Sequence, residues 1–243
     1  MSNHQSQITN SMLTCLQELF YPTLCPLCQR GVDTLGAVCD SCLQQLPRTE
    51  HALMRGNKVE QYFQQFQPFH TMQVRNRFVR AGAWLQYSDQ VATLIHRAKY
   101  SEQPFLAAFL GRQAAMEWLD TGFFDDIDLL VPVPLHPKRL RERGYNQSEY
   151  ICHGLAEILH IPVDATNLLR VVNTHKQSLL SDSERKQNVK DAFAVTMPER
   201  WHRKHILLVD DVITTGSTLS WCIKEITPIR TCRISVFSLS TAR

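Results

Sequence analysis

The run Ile206-Leu-Leu-Val-Asp210-Asp211-Val-Ile-Thr214-Thr215-Gly216-Ser217-Thr218-Leu219 constrains this chain more than any other stretch. Four successive apolar residues read as a strand buried on both faces, because a strand with one wet face would alternate. Two carboxylates stand at its carboxyl end, and a small, hydroxyl-rich turn opens a helix over 217–226. In a parallel sheet the ligand sits at the carboxyl ends of the strands. Residues Thr214, Thr215, Gly216, Ser217 and Thr218 gather backbone N–H groups, hydroxyls and a helix N-terminus around one point, which suits a phosphate monoester dianion. Gly216 lets the backbone come close. Asp210 and Asp211 are acceptors beside that point, so a ligand with a phosphate at one end and a vicinal diol next to it fits. Ribose 5-phosphate is such a group. A plain helix cap needs neither the paired carboxylates nor Thr-Thr-Gly-x-Thr.

The rest of the chain extends the sheet. Residues 78–87, 127–133, 168–172, 205–209 and 232–239 read as strands, and 89–100, 104–119, 147–160 and 217–226 as helices. Strands separated by helices of this length predict an α/β fold with a mostly parallel sheet covered on both faces. Length and composition agree, since 243 residues with 44% hydrophobic content support a real core and exclude intrinsic disorder. No window is apolar enough to span a membrane and no signal peptide opens the chain, so a soluble, unsecreted, cytoplasmic protein is expected.

Four of the eight cysteines fall in one short stretch, Cys25-Pro-Leu-Cys28 and Cys39-Asp-Ser-Cys42. Two C-x2-C knuckles supply the four soft ligands of a closed tetrahedral Zn2+ site. A site closed by four cysteines leaves no open position, so the metal is expected to be structural. A redox pair would need only one knuckle. Cys15, Cys152, Cys222 and Cys232 stand alone in apolar surroundings and read as buried thiols. The expected organisation is a zinc-binding module over 1–46, a hood or linker over 47–80, and the α/β domain over 81–243.

Residues 47–80 mix six basic residues with Tyr62, Phe63, Phe66, Phe69 and Phe78. Aromatics among cations could stack single-stranded bases. Tyr62, Phe63 and Phe66 also have the spacing of an amphipathic helix, and that reading is preferred. The net charge of +3 is too small for a globally cationic nucleic-acid binder. By segment, 43–100 carries +5, 136–147 carries +3 and 170–190 carries +3, while 101–135 carries −5. The positive blocks are local anion sites.

Residues 206–219 resemble, position by position, the phosphoribosyl pyrophosphate (PRPP) motif of type I phosphoribosyltransferases. With the four-cysteine knuckle, Val131-Pro-Val-Pro134 and Arg143-Gly-Tyr-Asn-Gln147, the chain resembles the ComF/GntX family over about residues 20–243. That resemblance implies a type I phosphoribosyltransferase fold and a phosphoribosyltransferase using PRPP with Mg2+. It implies Asp210 and Asp211 on the ribose hydroxyls, Thr214 to Thr218 on the 5-phosphate, and 131–138 as the pyrophosphate loop. The leaving group would meet basic residues on mobile loops, Lys138, Arg139, Arg141 and Arg143 on the first. Lys176, Arg185, Lys186 and Lys190 would serve on the second, where 177–188 resembles the flexible loop of the amidophosphoribosyltransferases. Asp210, Asp211, Arg143 and Lys138 are the implied catalytic residues, with Arg139 and Arg185 among the phosphate contacts.

The resemblance associates the chain with natural competence and growth on DNA, with single-stranded DNA and other competence proteins as implied partners. Two alternatives stay open: a non-catalytic single-stranded DNA-binding competence protein, and a regulator that senses PRPP or a nucleotide on the same fold. The stretch Lys99-Tyr100-Ser-Glu departs from relatives, which often carry a Gly soon after Lys-Tyr, and little is transferred from it. The acceptor is expected on residues 43–80.

Overall fold

The computed structural model describes residues 23–65, 77–100, 103–171 and 192–242. Among these, a four-stranded parallel sheet has the order β1-β6-β5-β2, with β1 at Phe78–Gln86, β2 at Leu129–Pro132, β5 at His205–Ile213 and β6 at Arg233–Thr241. Strands β3 (Leu168–Arg170) and β4 (Phe193–Val195) form a separate antiparallel ribbon. The helices are α1 (Asp40–Gln44), α2 (Lys58–Gln65), α3 (Asp89–Tyr100), α4 (Pro104–Trp118), α5 (Pro137–Arg143), α6 (Gln147–Leu159) and α7 (Ser217–Ile226). None of them is long and apolar enough to cross a membrane.

The unbroken apolar run of β5 has the physical reason expected of it, because both faces are covered. Leu207 and Val209 belong to a buried cluster with α3, α4 and α6. Ile206 and Leu208 face the opposite way, into a cluster with α2, α7 and the β3-β4 ribbon. The expected mostly parallel, helix-covered sheet is therefore observed. Strand β5 runs further than the sequence reading, to Ile213, because its pairing with β6 continues through Asp210↔Ser238, Val212↔Ser240 and Ile213↔Thr241. The two aspartates thus lie inside the strand rather than after it.

A second difference concerns 137–143, read from sequence as part of a mobile loop. It is a short helix. His136 caps it by accepting from Lys138 N at 3.2 Å, Pro137 occupies its first turn, and Gly144 in the left-handed region ends it. Strand β4 was not read from sequence, since three residues carry too little periodicity.

Helices α4 and α6 cross at nearly backbone contact. A Cβ on Gly154 would run into the carbonyl oxygen of Ala108 and stand 2.9 Å from Arg112 N. Gly154→Ala is expected to spread the two helices and cost about 1 to 3 kcal/mol, read as a lower denaturation midpoint at constant m-value.

The N-terminal cysteine module is packed into the same core. Cys25, Val38, Cys42 and Leu46 share a buried cluster with Trp84, Leu106 and Leu110. At its edge Arg48 grips both oxygens of Glu117 at 2.9 and 2.6 Å, lies 4.9 Å from the Trp84 ring centre, and Trp84 Nε1 donates to Glu117 at 2.7 Å.

Two other cations of the 47–80 segment are also committed internally. Arg77 donates to the carbonyls of Ile229 and Thr227 at 2.6 and 2.8 Å, and buried Arg80 to Ala52 at 2.5 Å beside Glu60. These two residues hold the fold and do not form an open nucleic-acid surface. Helix α2 buries Val59, Glu60 and Phe63 and leaves Tyr62 half-buried, so Phe63 is the fully buried member of the expected stripe among the described residues. Phe66, Phe69 and Arg75 lie outside the described residues.

Candidate functional site

Four strand ends, an incoming helix and an outgoing helix converge at the carboxyl edge of the sheet. Asp211 follows Leu207 and Val209 on one face of β5, and its Oδ2 meets Lys99 Nζ, near the end of α3, at 2.8 Å. Asp210 points the other way. Its Oδ1 accepts from Ser148 Oγ at 3.3 Å and from the backbone N–H of Asp211 at 2.9 Å. Ser148 is held there by the N-terminus of α6, where Asn146 caps the helix and donates from Nδ2 to Val133 O at 3.1 Å. Burial pushes the Asp210 carboxyl up to about 7, and the neighbouring Asp211 adds to this, against opposition from the Asp211 N–H, Lys99 and Ser148. Two adjacent carboxylates with one lysine between them cannot both be cheaply ionised. The lysine sits on Asp211.

Beyond Ile213 the chain turns through Thr214 and Thr215, both exposed, to Gly216 at φ 70°, which is the N-cap of α7. The left-handed conformation favours glycine. There is also no room for a side chain, since a Cβ would stand 3.1 Å from Tyr62 Cδ1 and Cζ, with Cε1 closer still. The glycine therefore admits a ring from α2, a requirement that the sequence reading assigned to the ligand. Thr215 Oγ1 and Ser217 Oγ lie 2.9 Å apart at the helix mouth, and Gly216 offers no side chain to cap the first N–H groups. The Ser217 N–H donates to Thr215 Oγ1 at 3.4 Å, and the hydroxyls and the positive end of a ten-residue helix leave this turn able to receive an anion.

The basic residues are distributed around this edge. Lys138 and Arg139 are in the first turn of α5, Lys138 exposed. Arg143 at the other end hydrogen-bonds Gln147 and stacks its guanidinium 5.0 Å from the Tyr100 ring centre. Arg185 lies outside the described residues. The sequence reading missed three contributors. Lys99 was set aside because its stretch departs from the family pattern, although its Lys-Tyr pair was the available signal. Ser148 carried no signal, being an ordinary first-turn serine. Arg170, at the end of β3, is half-buried, and its pKa is lowered by partial burial and by Arg139, with Asp210 acting in the opposite sense.

The second constellation is the cysteine cluster. The Sγ atoms of Cys25, Cys28, Cys39 and Cys42 all lie within 4.8 Å of one another, and Cys28 and Cys39 approach to 3.5 Å. A tetrahedral ion with Zn–S bonds of about 2.3 Å needs sulfurs roughly 3.8 Å apart, so donor set and spacing fit a structural metal site. The local fold is built for it. Backbone bonds Cys25 N to Arg30 O at 2.8 Å and Gln29 N to Cys25 O at 3.0 Å close the first knuckle. Ser41 and nearby backbone N–H groups lower Cys39 to about 6, whereas burial and the other thiols raise Cys42 to about 12. Four thiolates cannot coexist here without a cation. Cys152, Cys222 and Cys232 are buried, as expected, and burial raises each thiol.

No family model matches the chain. Among solved structures, the glutamine PRPP amidotransferase of B. subtilis aligns with a TM-score of 0.40 and 18% identity, over 59% of this chain and 30% of that one. The HGPRT-ase of Leishmania tarentolae in complex with GMP aligns with a TM-score of 0.29 and 15% identity, over 58% and 66%. Among sequences, DNA utilization protein YhgH of Escherichia coli (strain K12) is 32% identical over 200 residues, 81% of each chain. Competence protein F of Haemophilus influenzae is 33% identical over 160 residues, 64% of this chain and 70% of that protein. Competence protein ComFC of Bacillus subtilis is 26% identical over 202 residues, 83% and 70%. With the cysteine knuckle, the paired aspartates and the hydroxyl-rich turn all inside one chain of that identity and coverage, it belongs to the ComF family of DNA utilization and competence proteins.

Proposed function

We propose that this protein binds PRPP with Mg2+ and transfers its phosphoribosyl group in the use of DNA taken up or consumed by the cell. The observation that carries the reading is the end of β5, where Asp210 and Asp211 stand beside a left-handed Gly216 that opens α7. The turn Thr214 to Thr218 would hold the 5-phosphate through backbone N–H groups and hydroxyls. Asp210 and Asp211 would accept from the ribose hydroxyls, and their charge would favour the positive character that develops at the anomeric carbon. Lys138, Arg139 and Arg143 would take the pyrophosphate as it leaves, with Arg185 as a further contact.

Mg2+, when bound, would neutralise pyrophosphate charge while keeping several of its waters. Zn2+ would occupy the four cysteines in a structural role. In this reading residues 1–46 are the zinc module, 47–80 the hood and 81–243 the phosphoribosyl-handling domain. The names of the relatives support the tie to DNA use and competence.

Calorimetric titration of the purified chain with PRPP and Mg2+ tests the proposal. Saturable heat at one site per chain is expected, followed by pyrophosphate release when the acceptor is supplied. The absence of binding heat would overturn it.

A further inference from the structure

Each aspartate at the end of β5 is held by a side chain from elsewhere in the fold, and the two holders are joined through one short segment. Lys99 Nζ lies 2.8 Å from Asp211 Oδ2, with 20% of the lysine side chain and 7% of the aspartate exposed. Ser148, 1% exposed, donates from Oγ to Asp210 Oδ1 at 3.3 Å. The segment 143–148, which joins α5 to α6, reaches both supports. Tyr145 Oη donates to Ala98 O at 2.6 Å and Arg143 stacks 5.0 Å from the centre of the Tyr100 ring, so the residues on either side of Lys99 are pinned. From the same segment buried Asn146 donates to Val133 O at 3.1 Å and accepts from the Ser148 N–H at 3.2 Å. One stretch therefore meets the support of each aspartate and the turn at 131–138.

We propose that residues 143–148 are a positioning device, in which Lys99 and Ser148 set the orientation and charge of Asp211 and Asp210, and Asn146 locks that pair in register with the turn at 131–138. The proposal rests on the PRPP reading for its ligand, because a molecule with a sugar diol and a diphosphate must reach both places at once. Lys99, Asn146 and Ser148 act on it through other groups.

A carboxylate that accepts from a ligand hydroxyl must present a chosen oxygen, and buried partners remove its freedom before the ligand arrives. The two supports are not equivalent. Lys99 gives Asp211 a counter-charge at contact distance, whereas Ser148 gives Asp210 a neutral hydrogen bond. Burial, with Asp211 alongside, pushes the Asp210 carboxyl up to about 7, while Lys99 and Ser148 oppose that rise. The other titratable groups that face Asp210 are Arg170 from β3 and Cys222 from α7. Asp210 thus gains its charge as pH climbs through about 7, and the supports govern where that happens.

Calorimetry of the zinc-loaded full chain with PRPP and Mg2+ across neutral pH tests the proposal, since the ratio of variant to parent cancels the ligand's own titration. Lys99→Met is expected to weaken binding at least about tenfold at neutral pH and to move the midpoint of the pH profile upward. Lys99→Arg should restore most of both. Ser148→Ala should cost about threefold to tenfold, recovered by Ser148→Thr. Asn146→Ser keeps a helix cap but cannot reach Val133 O, so PRPP should weaken about tenfold while ribose 5-phosphate and pyrophosphate, offered separately, each stay within about threefold. Equal losses for PRPP and both fragments would reduce Asn146 to a plain cap and overturn the register role. An unmoved pH profile in Lys99→Met would overturn the charge role. If the parent binds no PRPP, NMR titration of the Asp210 carboxyl in the ligand-free chain still decides. A midpoint raised by Lys99→Met would support the device and sink the PRPP reading alone, and an unchanged midpoint would sink both.

Discussion

Asp210→Asn combined with Asp211→Asn is expected to lower PRPP affinity at least about a hundredfold while the fold and the metal content stay unchanged. The amide pair keeps the shape of the strand end but removes the charge that makes Asp acceptors strong, and it presents N–H groups to ligand hydroxyls. Charge-assisted hydrogen bonds are worth about 1.5 to 3 kcal/mol each, so losing two removes two or more orders of magnitude. Calorimetry measures the affinity and circular dichroism the fold. Affinity within threefold of the parent would rule the aspartates out as ribose contacts.

The single Asp210→Asn variant has a stability signature of its own. The Asp210 carboxyl is raised to about 7 by burial and by Asp211, so its favourable contribution is complete below the unfolded carboxyl pKa near 4 and is lost as pH climbs through 7. The parent should therefore lose stability between pH 4 and 8 relative to the variant. At pH 8 Asp210→Asn is expected to be more stable by about 2 kcal/mol, seen as a higher denaturation midpoint, even though it binds ligand poorly. A flat difference between pH 4 and 8 would contradict the coupling of the two carboxylates.

Cys25→Ser carries the second large effect. Loss of about one zinc per chain is expected in elemental analysis, because three thiolates and a hydroxyl do not replace a four-sulfur cage. Apparent binding free energies of structural zinc are about 10 to 16 kcal/mol in small peptides, and here the knuckle shares its interior with Trp84, Leu106 and Leu110. Unfolding should therefore begin in the module and reach the sheet through Trp84, so tryptophan emission should shift to the red before the helical signal falls. The Arg48–Glu117 clamp would be loosened with it. Full metal content in the serine variant would refute the four-cysteine ligand set.

Much of the fold was legible because its signals are local. The apolar run of β5, the knuckle spacing and the Gly216 turn each announce themselves within about a dozen residues. The reach of β5 through Asp210 and Asp211 was not legible, because it depends on pairing with β6, 28 residues later in the chain. Helix α5 was hidden by its charge. Four cations on seven residues look like a solvated loop until His136 and Gly144 are recognised as its two caps. The roles of Arg77 and Arg80 could not be read either, since nothing in their neighbourhood shows that the carbonyls of Ile229 and Ala52 will arrive to accept from them. In the site, the residues on one strand were found and those delivered by other elements, Lys99 and Ser148, were not. Contacts that span 112 residues, Lys99 to Asp211, and 62 residues, Ser148 to Asp210, have no local sequence trace.

The strand order also sets a timetable. Strand β6 lies between β1 and β5, although both precede it in the chain. During synthesis β1 and β5 each wait with unpaired edges until residues 233–241 leave the ribosome, and β1 waits while some 150 residues are made. The four-cysteine knuckle, by contrast, can close on a metal ion within its own short span. The module that is first to form must then hold Trp84 and its neighbours against open water for most of translation, which makes metal supply a matter of folding yield as well as of final stability.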